Sequence, residues 1–377
     1  MFFLFVFIFW ITLNSYVGVR CWQALSLPSS FKIPYIIPVI LLALAMPVSM
    51  MIRGTLSPEW SGMLQTISST WMILLVYAAL FFLFFDLLRL LNHWFHIFPK
   101  VVTGHYILVK RICFAVSSLA LVLILWQGNR KFNRPVMEQL NITTTKSLGK
   151  DKQLNVIFFS DSHLNSLTNP KQLQKYVDMI NAQKYDLVLI GGDFTDGDPT
   201  AWTQQGFDKI LQQIQARYGT YVSFGNHEYH SGIEESSEFT RKVGFVPLRD
   251  EIRYVGSDSS VVVIGRDDRT NSHRATVEDL LKNIDKDKYV IVLDHQPADL
   301  QAVAKAGADL LLSGHTHDGQ IFPLTALIHL MWEVAYGYEK IDNTDIYVSS
   351  GLAAWGPKYR IGSQSEVVKI EIMNPVH

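Results

Sequence analysis

The chain has 377 residues and a formal net charge of −1, but its charges are unevenly distributed. Residues 1–134 contain ten Lys/Arg and two Asp/Glu; by subtraction from 33 and 34, residues 135–377 contain 23 basic and 32 acidic groups, a net of −9. An acidic second half without a basic stripe disfavours nucleic acid as a partner. The contrast indicates two parts that lie in different solvents.

The first part contains four long apolar segments. Residues 1–19, 33–52 and 71–85 carry no charge, and residues 112–127 are uncharged between basic pairs. A hydrocarbon core requires about 20 apolar residues per helix, which the first three segments fit and the fourth fits if it starts near Tyr106. Buried helices of a soluble domain are the alternative, but so few charges would leave nothing polar to face water. We therefore predict a four-helix transmembrane region over residues 1–128, in a multi-pass protein of the cell or inner membrane.

The basic residues around these segments bear on orientation. An even number of spans places the N-terminus and the second part on one side of the membrane. The five basic residues of the opposite side are Arg20, Lys32, Lys100, Lys110 and Arg111, and the four of the same side are Arg53, Arg130, Lys131 and Arg134. The positive-inside rule makes the larger set cytoplasmic. By this narrow margin, the second part is expected on the non-cytoplasmic side.

The second part contains neither of the two cysteines, Cys21 and Cys113. It therefore has no disulfide framework and no thiolate that could act as nucleophile or metal ligand. Its first residues, 129–153, are polar, and we interpret them as a linker to a domain over residues 154–377.

From Asn155 onward, short apolar runs alternate with longer stretches of helical periodicity. The runs are rich in β-branched residues without polar alternation, as expected of strands buried on both faces. Their alternation with helices predicts an α/β domain. The predicted strands lie near residues 155–160, 186–190, 219–224, 260–264, 289–293, 309–312, 345–348 and 366–372.

Five of these runs end in metal-binding side chains. Each ending alone is explained by a turn or a helix cap, but ligands of α/β sheets bind beyond the carboxyl ends of the strands, where all five would meet. The side chains at these strand ends are Asp161, His163, Asp193, Asp196, Asn226, His227, Glu228, Asp294, His295, His315 and His317. Imidazoles, carboxylates and an amide without thiolate suit Mn, Fe, Zn or Co. The two last histidines, at i and i+2 of an extended segment, would point the same way.

The ordered set Asp-x-His, Gly-Asp-x-x-Asp, Gly-Asn-His-Glu, His and Gly-His-x-His resembles the calcineurin-like metallophosphoesterase superfamily over residues 155–372. The preceding apolar segments and the loop 350–360 are similar to its membrane-tethered branch, the transmembrane proteins with a metallophosphoesterase domain. Two positions depart from the family pattern: Glu228 stands where Asp is more frequent, and Asp318 where Gly is more frequent.

The resemblance implies two packed β-sheets flanked by helices and a site for two divalent metal ions. One ion would be held by Asp161, His163, Asp193 and His317, and the other by Asp193, Asn226, His295 and His315. Asp193 would bridge the ions, and His227 would face the substrate, so that these two residues are the expected catalytic groups. Asp196 and Asp294 have two interpretations each. Both could orient metal ligands, or else Asp196 is a loop cap and Asp294 is a carboxylate at the end of a strand.

These features predict a membrane-anchored, metal-dependent phosphoric ester hydrolase that cleaves a phosphodiester or pyrophosphate by in-line attack of an activated water. Tethering to the bilayer favours a lipid-linked substrate. A UDP-diacylglucosamine pyrophosphatase-like activity in lipid A synthesis is one candidate, although it requires a cytoplasmic site. The alternatives are a non-catalytic metal-binding membrane sensor and an anchored nuclease or protein phosphatase. The apolar stretch 323–332 is by default a core helix, or else a surface that dips toward the bilayer.

Overall fold

Long apolar helices precede an α/β part in the computed structural model, which describes residues 2–52, 56, 58–150 and 152–375. Arg53, one of the residues counted for orientation, lies outside the described residues. The chain divides into two compact units, Met1–Gln127 and Gly128–His377.

The first unit consists of helices. They are α1 (Phe2–Leu25), α2 (Lys32–Met51), α3 (Pro58–Phe95), α4 (Lys100–Gly104) and α5 (Tyr106–Asn133), with a 3-10 turn at Ser29–Phe31. The last residues of α5, from Gly128 onward, belong to the second unit. Four of them, α1, α2, α3 and α5, are long and apolar enough to cross a membrane. The prediction of four apolar helices is confirmed. At 38 residues, α3 exceeds the roughly 20 residues that a hydrocarbon core requires.

Polar side chains within this unit are paired with one another. Asp86 of α3 accepts hydrogen bonds from the Tyr16 hydroxyl (2.8 Å) and the Arg20 guanidinium (2.5 Å) of α1. The Trp71 indole donates to the side-chain oxygen of Asn14 (2.9 Å). Such pairing is required because an isolated polar group in an apolar environment is costly.

The second unit contains two six-stranded sheets with helices on their outer faces. The first sheet has the order β1-β12-β2-β3-β4-β5 and the second β10-β11-β9-β8-β7-β6. Strands β2, β3, β4 and β5 run parallel in the first sheet, as do β7, β8, β9 and β11 in the second. The predicted architecture of two sheets flanked by helices is confirmed.

The strands are β1 (Val136–Thr143), β2 (Gln153–Phe159), β3 (Leu187–Gly191), β4 (Thr220–Ser223), β5 (Val246–Leu248), β6 (Glu251–Val255), β7 (Val261–Gly265), β8 (Tyr289–Leu293), β9 (Leu310–Ser313), β10 (Gly337–Ile341), β11 (Thr344–Val348) and β12 (Glu366–Met373). The helices are α6 (Pro170–Asn181), α7 (Pro199–Gln204), α8 (Phe207–Leu211), α9 (Asn226–Ser231), α10 (Ile233–Lys242), α11 (Val277–Leu281), α12 (Leu300–Ala306) and α13 (Leu324–Met331), with a 3-10 turn at His317–Gly319.

The central strands are buried on both faces. In β2, Val156 and Phe158 face the core between the two sheets, whereas Ile157 and Phe159 face the core under the helices of the first sheet. Successive side chains of a strand point to opposite faces, so a strand between two cores has apolar residues at every position. The unbroken apolar runs in the sequence follow from this layering.

Residues 129–153 differ from the predicted linker. Residues up to Asn133 continue helix α5, and β1 pairs in parallel with β12, with Val136 opposite Glu366 and Thr143 opposite Met373. Because β1 is the edge strand of its sheet, much of it is exposed to water and its sequence, Val-Met-Glu-Gln-Leu-Asn-Ile-Thr, is polar enough to resemble a linker.

Candidate metal centre

The metal-binding side chains predicted from the sequence follow five strands, three from one sheet and two from the other. Asp161 and His163 follow β2, Asp193 follows β3, and Asn226 and His227 follow β4. From the second sheet, His295 follows β8, and His315 and His317 follow β9. The neighbouring parallel strands thus bring these side chains to one rim, where the two sheets meet.

The backbone at this rim is strained. Five of the residues adopt left-handed conformations that are rare without glycine, with φ of 54° at Asp161, 42° at His163, 47° at Asp193, 71° at His315 and 51° at His317. Such conformations cost of order 1–3 kcal/mol each and occur mainly at functional sites. Here they turn the side chains back toward the strand ends.

Glycines beside these residues leave room for the side chains. A Cβ at Gly192 would meet the His295 ring at 2.5–2.8 Å, and a Cβ at Gly225 would collide with Asp193 and His295. A Cβ at Gly314 would collide with Ser160 and Asp161. The glycines that precede Asp193, Asn226 and His315 are therefore required for the side chains to converge.

Three groups of buried and half-buried side chains among the described residues could each hold a metal ion. The first group is Asp161, His163 and His317, and the second is Asp193, His295 and His315. The third, His163, Asp193 and His227, shares one residue with each of the other two. In the first, His317 Nε2 lies 3.1 Å from His163 Nε2 and 3.3 Å from Asp161 Oδ1. Nitrogen lone pairs at this separation would repel each other unless a proton or a cation lay between them.

Asp193 lies between the first and the second of these groups. Its Oδ2 is 3.1 Å from His295 Nε2 in the second group and 3.9 Å from His163 Nε2 in the first. Its Oδ1 accepts the backbone N–H of His227 at 2.9 Å, which fixes the plane of the carboxylate. One carboxylate therefore faces both groups.

Unpartnered buried atoms test whether these residues fit metal ions. Among the described residues, His295 Nε2 and Asn226 Oδ1 are buried without a hydrogen-bond partner, although His295 Nε2 has the nearby Asp193 oxygen. His295 Nδ1 contacts the Gly191 carbonyl at 2.8 Å, an arrangement that leaves Nε2 free to bind a cation. Buried polar atoms without partners are costly, so the donor set fits a divalent cation beside Asp193.

Burial sets the charge of the imidazoles. It lowers the pKa of His163 and of His315 to about 4, and it lowers the pKa of His317 further, with help from the positive charge of Arg360. These rings are neutral at pH 7, as a metal ligand must be. At His295 burial acts in the same direction, but the Asp193 carboxylate outweighs it and raises the pKa well above its usual value.

His227 lies at the edge of the centre beside Asp196. Its Nδ1 is 3.1 Å from Asp196 Oδ1, and its ring lies 4.6 Å from the His163 ring and 6.2 Å from the Trp355 ring, between centroids. Burial opposes ionisation of His227, yet the contact with Asp196 raises its pKa. Asp196 is thus the carboxylate that lies beside His227 Nδ1.

Glu228, one of the two departures from the family pattern, is fully buried and supports the loops of the centre. Its carboxylate accepts the backbone N–H groups of Gly225 (2.7 Å), Thr195 (2.7 Å) and Asp193 (3.1 Å). Burial and the Asp193 charge raise the pKa of Glu228 to about 8, while the backbone donors oppose this. The sequence identified the position but not this role.

Arg360 is a second support that the sequence did not identify. It is fully buried, and its guanidinium donates to the carbonyls of His317 (2.8 Å), Gly351 (3.0 Å) and Ala353. A buried arginine that bonds to carbonyls holds backbone rather than substrate. An arginine within a polar loop carries no signal of this in the sequence.

The Asp294 carboxylate, next in sequence to His295, takes part in an ion-pair network. Its two oxygens bind Arg266 (2.8 Å) and Arg274 (3.1 Å), which also bind Asp299. Of the two carboxylates for which the sequence left both readings open, Asp196 contacts a residue of the centre, and Asp294 anchors the end of β8 through arginines.

Comparisons with known proteins agree with this geometry. Residues 154–319 match the family described as calcineurin-like phosphoesterase. An uncharacterized metallophosphoesterase of Helicobacter pylori (strain J99) is 32% identical over 259 residues, which cover 68% of this chain and 69% of the relative. Another, from Campylobacter jejuni, is 29% identical over 324 residues, covering 82% and 83%. A transmembrane protein with metallophosphoesterase domain from Danio rerio is 32% identical over 231 residues, covering 58% and 52%.

The chain belongs to the calcineurin-like metallophosphoesterase family. With its four apolar helices, it is a membrane-associated member of that family and a metal-dependent phosphoester hydrolase.

Proposed function

We propose that the chain is a membrane-anchored dimetal phosphoesterase that cleaves a phosphodiester or pyrophosphate bond in a lipid-linked substrate. In this proposal residues 1–128 form the membrane region, and the phosphoesterase domain, expected from the sequence over residues 154–377, also includes the strand β1. The observation that carries this proposal is the Asp193 carboxylate, which faces both groups of metal-binding side chains.

The two groups define the proposed ligands. One ion is held by Asp161, His163, Asp193 and His317, and the other by Asp193, Asn226, His295 and His315. The donors are nitrogen and oxygen without thiolate, which suits Mn, Fe, Zn or Co. When bound, two such ions neutralise charge on the phosphoryl oxygens and lower the pKa of water toward neutrality.

His227 supplies the proton chemistry in this proposal. The Asp196 carboxylate, 3.1 Å from Nδ1, favours a proton on that nitrogen, and Nε2 would then be left for the substrate. A protonated Nε2 would stabilise the developing charge or donate a proton to the leaving oxygen. The contact with Asp196 favours this protonated form.

The lipid-linked substrate is supported by the apolar helices, which keep the hydrolase next to lipid. The count of basic residues favours the domain on the non-cytoplasmic side. A UDP-diacylglucosamine pyrophosphatase-like activity requires the opposite side, so a lipid phosphodiester or pyrophosphate exposed outside the cytoplasm fits this count better. Fusion of the C-terminus to reporters that are active on only one side of the membrane tests the orientation.

The activity is tested with the full-length protein in detergent, assayed with manganese and a water-soluble aryl phosphodiester. We expect metal-dependent hydrolysis, and its loss in Asp193→Asn. Asp198→Asn is the matched control, because Asp198 follows Asp196 in the same loop and its carboxylate caps α7 through Thr200. If the wild type is as inert as the Asp193 variant with every metal, the protein is a metal-binding sensor instead. A screen of lipid-linked and nucleotide-sugar substrates then identifies the natural class.

A further inference from the structure

The rest of the described protein leaves the apolar side chains of α13, the helix that follows His317, uncovered. No residue of α13, which lies wholly within the described chain, is buried. Leu324, Leu327, Leu330 and Met331 are 55%, 50%, 84% and 68% exposed. Their spacing places Leu324, Leu327 and Met331 on one helix face, with Leu330 beside it. We call these four residues the α13 surface. The default interpretation of this stretch as a core helix is wrong, because none of its side chains enters a core.

The composition around the α13 surface is unusual for a water-exposed helix. From Ile321 to Trp332 the sequence contains no Asp, Glu, Lys or Arg, and its one histidine, His329, is paired with Asp318 (2.9 Å). Exposed apolar clusters of this kind mark sites of interaction with proteins or membranes.

Residues at both ends of α13 tie the helix to the metal centre. The Trp332 ring packs at 5.7 Å from the ring of His315, and Asp318, the partner of His329, directly follows His317. Trp355, which is 59% exposed, lies near another residue of the centre, His227, with 6.2 Å between the ring centroids. Whatever covers the α13 surface therefore lies close to the metal centre.

Within the second unit, a short hydrogen-bonded path connects the start of α13 to residues 128–133, the last residues of α5. The Phe322 N–H donates to the Ile361 carbonyl (2.6 Å), and the Arg360 N–H donates to the Gly128 carbonyl (2.9 Å). Lys131 Nζ, in the last turn of that helix, lies 3.4 Å from the Ser363 carbonyl. Residues 128–133 continue directly from a helix that is apolar enough to span a membrane, and its last turn is basic, as is typical of a membrane interface.

We infer that the α13 surface inserts into the interface of the bilayer that anchors the chain. Lipid is the occupant that these observations favour. The exposed residues are aliphatic, a tryptophan, Trp332, follows them at the end of α13, and the neighbouring segment is where the chain leaves the apolar helices. Insertion would hold the metal centre close to the level of the lipid headgroups. Insertion of the α13 surface does not depend on the proposed function. If the proposed function holds, the substrate would be a phosphorus ester within a lipid headgroup, and this consequence rests on the proposed function.

The test measures the depth of α13 in the bilayer with the full-length chain in phosphatidylcholine–phosphatidylglycerol vesicles. Cys21 and Cys113 are replaced by serine, and a single fluorophore is attached at Leu330→Cys or, as the matched control, at Tyr254→Cys. Tyr254 is 50% exposed on β6, at the other edge of the second sheet. Quenching is compared between lipids with a nitroxide on the acyl chain and iodide in the water.

We expect the label at Leu330 to be quenched at least about twofold more by the nitroxide lipid than the label at Tyr254, because interfacial helices lie roughly 5–10 Å into the headgroup boundary. Iodide should show the opposite order. Leu324→Glu combined with Leu327→Glu should remove the difference, whereas Asp193→Asn, which abolishes the proposed activity, should leave it intact.

Two results would overturn the inference. Equal iodide quenching at Leu330 and Tyr254 would mean that the α13 surface faces water. Protection of Leu330 from iodide without nitroxide quenching would mean that protein covers it. Because Asp193→Asn keeps its α13 surface, failure of the depth measurement and failure of the hydrolysis assay are distinguishable.

Discussion

The contact between His227 and Asp196 predicts how kcat/KM depends on pH. Asp196→Asn keeps the size of the side chain but removes the negative charge 3.1 Å from His227 Nδ1. If the protonated imidazole supports catalysis, activity is present below the pKa of His227 and is lost as the pH rises through it. Because Asp196 raises that pKa, the substitution moves the alkaline limb of the kcat/KM profile to lower pH.

The size of the movement follows from the geometry. The His227 and Asp196 side chains are 14% and 22% exposed, so water screens their interaction only in part. A hydrogen bond to a charged group contributes about 1.5–3 kcal/mol, and about 1.4 kcal/mol corresponds to one pKa unit. Loss of the charge should therefore move the alkaline limb down by about one to two pH units.

The assay measures kcat/KM between pH 5 and 10 on the water-soluble aryl phosphodiester at saturating metal. His227→Gln should remove the alkaline limb and lower the rate by roughly 10²–10⁴. Asp198→Asn should keep the wild-type profile. A slower Asp196→Asn enzyme whose alkaline limb stays in place would refute the assigned role, because a merely structural effect lowers the rate without moving the limb.

Three further predictions concern the support and the charge of the centre. Glu228→Ala leaves three buried N–H donors without an acceptor and should destabilise the second unit by about 3 kcal/mol, measured by thermal unfolding. Glu228→Asp, which introduces the family's more frequent residue, should largely restore the stability. An unchanged melting curve for the alanine variant would contradict this. Arg360→Met leaves the carbonyls of His317 and Gly351 unsatisfied and should lower both the melting temperature and metal affinity, whereas a loss of turnover alone would indicate contact with substrate. Because Asp193 favours the protonated form of His295, metal binding must displace that proton. The affinity for metal should therefore rise with pH, and titration calorimetry in two buffers should detect proton release. A metal affinity that does not change with pH would count against the ligand role of His295.

The sequence predicted the central strands but missed several at the edges. Strands β2, β3 and β8 are unbroken apolar runs because both of their faces are buried, and this pattern is visible without a structure. The edge strands β1 and β10 are partly exposed and read Val-Met-Glu-Gln-Leu-Asn-Ile-Thr and Gly-Tyr-Glu-Lys-Ile. Their pairing partners, rather than their composition, make them strands.

At the candidate centre, the sequence identified which side chains follow the strands but could not identify their neighbours. Asp196 and Asp294 were equivalent in the sequence, and only the loop paths place one beside His227 and the other beside Arg266. The left-handed conformations at Asp161 and Asp193 leave no trace in the residue types. The exposure of α13 was also hidden, because an apolar helix has the same composition in a core and at a membrane surface.

We propose that the side chains around Asp193 bind two divalent ions. Elemental analysis of the full-length protein, purified without added metal or chelator, tests this most directly. We predict about two equivalents of transition metal per chain and a substantial loss from both positions in Asp193→Asn, while Asp198→Asn keeps both. A wild-type protein that binds no divalent metal, or an Asp193→Asn variant that retains both ions, would contradict the account.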